Sequence, residues 1–81
     1  MRLDKYLKVS RLIKRRTVAN EACDAGRVLV YDKPARASYE IKVDDVITLM
    51  LGTRQLRAQV VSVLETVAKK DAALLYRVLE D

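Results

Sequence analysis

The first ten residues place apolar side chains three or four positions apart, as one face of a helix requires. The apolar arc holds Leu3, Tyr6, Leu7 and Ser10, and the opposite side holds Arg2, Lys5 and Lys8. This spacing predicts an amphipathic helix over Arg2–Ser10 with its basic side facing outward. The segment Arg11–Arg16 mixes two apolar residues with four cations and is predicted to be a tight connection.

A second short helix is predicted after this connection. Thr17 is a good N-cap residue, and the stretch Val18–Ala25 is rich in small side chains that allow close packing. Gly26 supplies the left-handed conformation in which helices often end. Cys23 is interpreted as a small buried apolar residue without redox chemistry.

The apolar pattern changes to a period of two after Gly26, which indicates strands. A strand at Val28–Tyr31 is followed by turn residues at Asp32, Lys33 and Pro34. Short strands are predicted at Ile41 and Val43 and over Val46–Leu51, with a turn at Asp44 and Asp45 between them. Gly52 and Thr53 form the next turn, before a long strand over Arg54–Leu64 with a bend near Val60.

The last predicted element is a helix capped by Asp71. Leu74, Leu75, Val78 and Leu79 follow the spacing of a helix that lies on a core. The expected fold is α+β: two N-terminal helices packed on a small antiparallel β-sheet with a short C-terminal helix. Residues 1–81 are expected to form one domain.

Composition argues against an enzyme. The chain has 81 residues with no Phe, Trp or His and one Cys, so a thin aliphatic core leaves little room for a catalytic pocket. It lacks the commonest general base and the commonest metal ligand. We therefore expect no catalytic residues, no metal and no cofactor. The absence of a long apolar stretch and of a disulfide pair predicts a cytoplasmic protein without a membrane partner.

Positive charge is concentrated near the amino end. Residues 1–20 contain seven Lys and Arg against one Asp, a net charge of +6, whereas residues 21–81 have a net charge of −1. Seven cations in twenty residues repel one another, and an anionic partner would offset that repulsion. A polyanion-binding surface is thus the first functional hypothesis.

The proposed surface combines the polar side of the first helix with the start of the second. Lys14, Arg15 and Arg16 directly precede Thr17, where backbone N–H groups and the helix dipole favour an anion such as phosphate. A membrane surface is disfavoured because Leu3, Tyr6 and Leu7 are needed for the core. Major-groove DNA binding is disfavoured because the second helix carries small, apolar and acidic residues. Structured RNA fits better.

Three further side chains could each have more than one role. Asp4 is expected to pair with Lys8 four residues along the same helix rather than to act in catalysis. Tyr6 is expected in the core. Tyr31 is left open between packing and stacking on a base.

Residues spread over 2–47 resemble the S4 RNA-binding domain. The matching positions are Arg2, Leu3, Asp4, Lys5, Tyr6, Leu7, Lys14, Arg15, Arg16, Thr17, Ala19, Gly26, Arg27, Val28, Val30, Pro34, Ser38, Val43, Asp45, Val46 and Ile47. The opening RLDKYLKVSRLIKRRT and the segment AALLYRVL most closely resemble the bacterial ribosome-associated quality control protein P (RqcP) family, related to the fifteen-kilodalton heat-shock protein. S4 domains usually have Asn-Gly where this chain has Tyr31 and Asp32, and Gly where it has Asp44.

This resemblance implies a function on the large ribosomal subunit after a stalled ribosome has split. The protein would contact 23S rRNA and peptidyl-tRNA and support an RqcH-type alanine-tailing factor, acting as a monomer. The implied RNA-binding residues are Arg2, Lys5, Lys8, Arg11, Lys14, Arg15, Arg16 and Arg36. Alternatives are a general S4-type rRNA-binding or heat-shock-type recycling factor, a protein-interaction module, or a fragment of an RNA-modifying enzyme.

Overall fold

Two helices precede five strands in the computed structural model, which describes residues 1–63, 71 and 74–79. Helix α1 is Leu3–Val9 and helix α2 is Arg16–Asp24. The strands are β1 Val28–Val30, β2 Lys33–Pro34, β3 Val46–Leu51, β4 Arg54–Val60 and β5 Tyr76–Leu79. They form one antiparallel sheet in the order β2-β1-β3-β4-β5. The α+β class is confirmed.

The core lies between the helix pair and one face of the sheet. Leu3, Tyr6 and Leu7 of α1 are fully buried, as the helical spacing predicts. Alternate strand residues face them, because side chains of a strand point to opposite faces in turn. These residues are Val28, Val30, Ile47, Leu49, Ala58 and Val60. Ala19 and Cys23 complete the core from α2, where their small size allows the helices to approach closely.

Positive backbone φ angles end α2 and form the turns of the sheet. Gly26 has φ +73 after α2, and Gly52 has φ +64 in the β3–β4 turn, so both predicted turn positions are confirmed. Tyr31 and Asp32, at φ 51 and 66, form the two-residue β1–β2 turn. Such tight hairpins need positive φ at both central residues. Asp44 has φ 78, in the left-handed region that favours glycine.

Two strand predictions need correction. Lys33 and Pro34 are not turn residues but form the edge strand β2, where a proline is tolerated because no neighbouring strand needs its N–H. Ile41 and Val43 do not form a strand. Ile41 is nevertheless buried, and its N–H donates to the Met1 carbonyl at 2.9 Å.

The predicted C-terminal helix is wrong over Tyr76–Leu79, whereas Asp71, Leu74 and Leu75 have 3₁₀-helical conformation. Tyr76–Leu79 is strand β5, which pairs with β4 through Ala58↔Val78 and Val60↔Tyr76. The spacing of apolar residues that suggested a helix is overridden by the free edge of β4, whose backbone groups β5 satisfies. The remainder of that prediction, at 72–73 and 80–81, lies outside the described residues.

The first helix also contacts the start of this strand. The buried Tyr6 hydroxyl donates to the Leu75 carbonyl at 2.6 Å across 69 residues of sequence. Burial of Tyr6, with a smaller effect of Tyr76, raises the pKa of this phenol well above its usual range. Within the described ranges, no helix is long and apolar enough to span a bilayer.

Candidate nucleic-acid interface

Asp4 is a buried carboxylate at the contact between α1 and α2, with 2% of its side chain exposed. Arg2 donates to it through Nε at 3.2 Å and Nη2 at 3.4 Å. Arg16 donates through Nε at 3.4 Å, Asn20 through Nδ2 at 3.3 Å, and the Lys5 backbone N–H at 2.8 Å. We call Arg2, Asp4, Arg16 and Asn20 the Asp4 cluster.

The positions of these residues in the two helices explain the cluster. Arg2 is the residue before α1, and Asp4 lies in its first turn. Arg16 begins α2, and Asn20 follows it by four residues, so the two side chains lie on the same helix face. Packing of α1 against α2 directs that face at Asp4.

Asp4 stays ionised at neutral pH. Burial by itself would raise the pKa of its carboxyl. The hydrogen bonds from Asn20, from the Lys5 backbone and from Arg16, together with the charge of Arg16, outweigh burial, and the pKa lies below its ordinary value. The carboxylate therefore fixes one edge of each guanidinium group. The Arg2 and Arg16 side chains remain 51% and 48% exposed.

Arg2 and Arg16 lie between two shallow grooves. The first groove, of about 450 Å³, is lined by these two arginines with Asp4, Thr17, Asn20 and Glu21. The second groove, of about 400 Å³, is lined by the same two arginines with Met1, Lys5, Ser38 and Glu40. The exposed edges of both guanidinium groups are thus available to an anion in either groove. Lys5 adds a third cation on the second groove.

The start of α2 adds backbone donors to this region. Arg15 is the N-cap residue and makes no side-chain cap hydrogen bond, while Thr17 lies inside the first helical turn. The prediction that Thr17 caps α2 is therefore wrong. With no side chain capping the first turn, its free N–H groups are available to an anion, and the helix dipole favours negative charge there.

The other predicted cations are placed as follows. Lys8 is exposed on the polar side of α1, and Arg11, at φ 62, follows the helix. Lys14 and Arg15 are exposed in the connection to α2. Arg36 is exposed in the loop after β2 and lines neither groove of the Asp4 cluster.

The predicted partner of Asp4 is wrong, because the carboxylate is bound by Arg2 and Arg16 instead of Lys8. The pairing of opposite charges four residues apart is a rule for one helix. It does not account for donors that a second helix supplies. Sequence reasoning also did not select Asn20 and Ser38 as site residues. The spacing of Arg16 and Asn20 by one helical turn could have indicated Asn20, whereas no local pattern indicates Ser38.

The described residues contain no group of three or more His, Cys, Asp and Glu side chains that could hold a metal ion. Cys23 is buried in the core. Its burial, with the nearby charges of Asp4 and Asp24, raises the pKa of the thiol to about 11, so the reactive thiolate is scarce at neutral pH.

Comparisons with solved structures agree with this fold. Heat shock protein 15 of Vibrio cholerae, whose structure is trimeric, gives a TM-score of 0.90 at 26% identity, covering 98% of this chain and 81% of that chain. A hypothetical protein solved in solution gives a TM-score of 0.83 at 31% identity, covering 100% and 99%.

Comparisons of sequence give the family. The S4 domain model matches residues 1–47. Curated relatives named RQC P-site tRNA stabilizing factor, from Streptococcus pneumoniae and Bacillus subtilis, are each 44% identical over 81 residues. The match covers 100% of this chain and 92% and 94% of those relatives. The chain therefore belongs to the S4 domain family and, within it, to the family of the curated RQC P-site tRNA stabilizing factors.

Proposed function

We infer that the protein is a noncatalytic RNA-binding factor that holds P-site tRNA on the large ribosomal subunit during ribosome-associated quality control. The single observation that carries this proposal is the Asp4 cluster, which holds Arg2 and Arg16 side by side with their outer edges open to solvent. Guanidinium groups with fixed orientation match the oxygens of phosphate. The names of the curated relatives support tRNA as one RNA partner.

The remaining cations extend the proposed contact. Lys5 shares the second groove with the two arginines. Lys8 continues along the polar side of α1, and Arg11, Lys14 and Arg15 follow in the connection to α2. A surface of this kind recognises the backbone and shape of folded RNA more than its sequence. Arg36 is a separate RNA contact in this proposal.

The finer parts of the proposal rest on the family resemblance. The second RNA partner is 23S rRNA, and the tRNA is the peptidyl-tRNA left on the subunit after a stalled ribosome has split. The bound protein supports alanine tailing by an RqcH-type factor. It acts in the cytoplasm, where ribosomes are, and as a monomer formed by residues 1–81 as one domain.

The test is cosedimentation of the tagged protein with large subunits that carry peptidyl-tRNA. We expect Arg16→Ala to weaken association about tenfold, because one oriented phosphate contact is lost. Folding should change little, with a free energy of unfolding within about 0.5 kcal/mol of wild type. The reason is that Asp4 keeps Arg2, Asn20 and the Lys5 N–H as donors.

Arg77→Ala is the matched control. It removes the same charge from an exposed arginine on β5, whose side chain donates to Gln59. Equal weakening by both variants would show that only net charge matters and would contradict the proposed site. Association that survives RNase treatment of the subunit would favour the protein-interaction module.

A further inference from the structure

A cleft with two exposed tyrosines lies next to the Asp4 cluster. It has a volume of about 550 Å³, within the range of roughly 300–1,000 Å³ for small-ligand sites. The residues that line it are Val30, Tyr31, Lys33, Pro34, Ala35, Arg36, Ser38 and Tyr39. We call it the aromatic cleft. It combines large apolar ring surfaces with two cations, and neither feature is explained by the core.

Tyr31 is exposed but held in place. Its side chain is on the β1–β2 turn, at φ 51, and the residue is 56% exposed. The hydroxyl donates to the Asp44 backbone carbonyl at 3.1 Å, which fixes the direction of the ring. A ring fixed in this way loses little conformational freedom when a flat ligand stacks on it.

Tyr39 is also placed by its backbone. It is 39% exposed, and its N–H donates to the Arg36 carbonyl at 2.9 Å. Its carbonyl accepts the Leu3 N–H at 2.8 Å, and the Ala37 carbonyl accepts the Asp4 N–H at 3.1 Å. The loop that carries Tyr39 is therefore tied to the start of α1, beside the Asp4 cluster.

The charges of the cleft favour one position for an anionic group of its ligand. Lys33 and Arg36 are both exposed, and neither forms an ion pair within the described part of the chain. The Tyr31 hydroxyl is bound by the backbone carbonyl of Asp44, an exposed acidic residue. A phosphate would be attracted to Lys33 and Arg36 and repelled by Asp44.

The aromatic cleft adjoins the second groove. Ser38 lines both, so the two sites lie on either side of the loop after β2. A nucleic-acid strand held by Arg2 and Arg16 would reach the aromatic cleft within a short distance of chain. This proximity favours nucleic acid over an unrelated peptide as the occupant.

We propose that the aromatic cleft binds an unpaired nucleotide of the RNA, with its base stacked on Tyr31 and Tyr39 and its phosphate near Lys33 and Arg36. Aromatic rings bind unpaired bases regardless of sequence, since every base has a flat π surface. This inference rests on the proposed RNA-binding function and adds to it a requirement for a single-stranded segment next to a structured one.

The experiment compares two RNAs by fluorescence anisotropy with the full chain. One is a duplex with a four-nucleotide 3′ overhang, and the other has the same overhang with abasic residues, which keep the phosphates but lack the bases. We expect wild type to bind the first RNA about tenfold more tightly. Tyr39→Ala and Tyr31→Ala should reduce that preference, and Tyr39→Phe should keep it because the ring remains.

Two controls separate this inference from the proposed function. Arg2→Ala/Arg16→Ala should weaken binding of both RNAs and leave the preference for bases unchanged. Val61→Ala, which shortens an exposed apolar side chain outside the cleft, should change neither.

Three outcomes would overturn the inference. Equal wild-type affinity for the two RNAs would exclude stacking while leaving the RNA-binding function intact. Failure of wild type to bind either RNA would overturn both proposals. A preference that persists in both tyrosine-to-alanine variants would show that the bases bind elsewhere, so the abasic comparison remains decisive even where a variant folds poorly.

Discussion

Asp4 is a buried charge that contributes both to folding and to the proposed RNA-binding surface. It accepts hydrogen bonds from two guanidinium groups, one amide side chain and one backbone N–H. An isolated buried carboxylate would be strongly unfavourable, and these donors are the reason that it is tolerated. Its role is to position Arg2 and Arg16.

We expect Asp4→Asn to lower the free energy of unfolding by about 1–3 kcal/mol at pH 7, because charge-assisted hydrogen bonds are lost in a buried position. This loss should lie near the lower limit of the range, because both arginines are about half exposed and solvent screens their charge. Urea unfolding measures the effect. Asp24→Asn, at an exposed carboxylate of α2, serves as control and should stay within about 0.5 kcal/mol.

The same variant tests the pH dependence. Because the pKa of Asp4 is lowered in the folded protein, its stabilising effect is present above the ordinary value of 3.8 and is lost as the pH falls through the folded-state pKa. The difference in unfolding free energy between wild type and Asp4→Asn should therefore shrink between pH 5 and about pH 3. A constant difference over this range would mean that the carboxyl is not stabilised as an ion.

At the scale of elements, the Tyr6 phenol joins α1 to the residue that precedes β5. Tyr6→Phe removes one buried hydrogen bond to the Leu75 carbonyl, which still accepts the Val61 and Ser62 N–H groups at 2.8 and 3.1 Å. We expect a loss of about 0.5–1.5 kcal/mol in the free energy of unfolding, measured with urea. Tyr39→Phe removes an exposed hydroxyl and should have almost no effect. Equal effects of the two substitutions would contradict a structural role for the Tyr6 hydroxyl.

The turn before β3 contains a residue in a conformation that favours glycine. Asp44 has φ 78, and both of its described hydrogen bonds use backbone atoms, to the Val60 carbonyl and from the Tyr31 hydroxyl. Asp44→Gly should therefore raise the free energy of unfolding by about 0.5–1 kcal/mol as the backbone strain is relieved. Asp24→Gly removes the same charge from the end of α2 and should lower it by a similar amount.

An element is predicted correctly from the sequence where neighbouring residues determine it, and incorrectly where distant residues do. Leu3, Tyr6 and Leu7 specify α1 by local spacing, and Gly52 specifies the β3–β4 turn through its own backbone freedom. The segment Tyr76–Leu79 does not specify its state locally, since Val78 and Leu79 suit a helix face or a strand. Its strand form depends on the edge of β4 and on Tyr6, which lie far away in the sequence.

For the molecule as a whole, the uneven charge along the chain was the most informative property of the sequence. It predicted exposed cations near the two helices, and all eight selected RNA-binding residues are at least partly exposed. It did not predict which cations meet, because Arg2 and Arg16 are brought together by helix packing around Asp4. No local pattern predicted that the loop after β2 lines both the aromatic cleft and the second groove.

A surface that binds RNA mainly through phosphates should depend strongly on salt. If about five phosphates are neutralised, the logarithm of the association constant should fall with the logarithm of salt concentration with a slope of roughly −3 to −5. Arg16→Ala should reduce the steepness by about 1. Anisotropy titrations at several salt concentrations measure the slope, and a value near zero would exclude the electrostatic mechanism.

Sharing one carboxylate also makes the two arginines interdependent. When Arg2 is replaced, Arg16 no longer competes with it for the Asp4 carboxylate, and the share of the Arg16 charge that is available to an anion changes. The two substitutions are therefore not expected to act additively. Epistasis of this kind affects how the protein evolves. A lineage that replaces one arginine loses part of the benefit of the other, and we expect positions 2 and 16 to be kept or abandoned together.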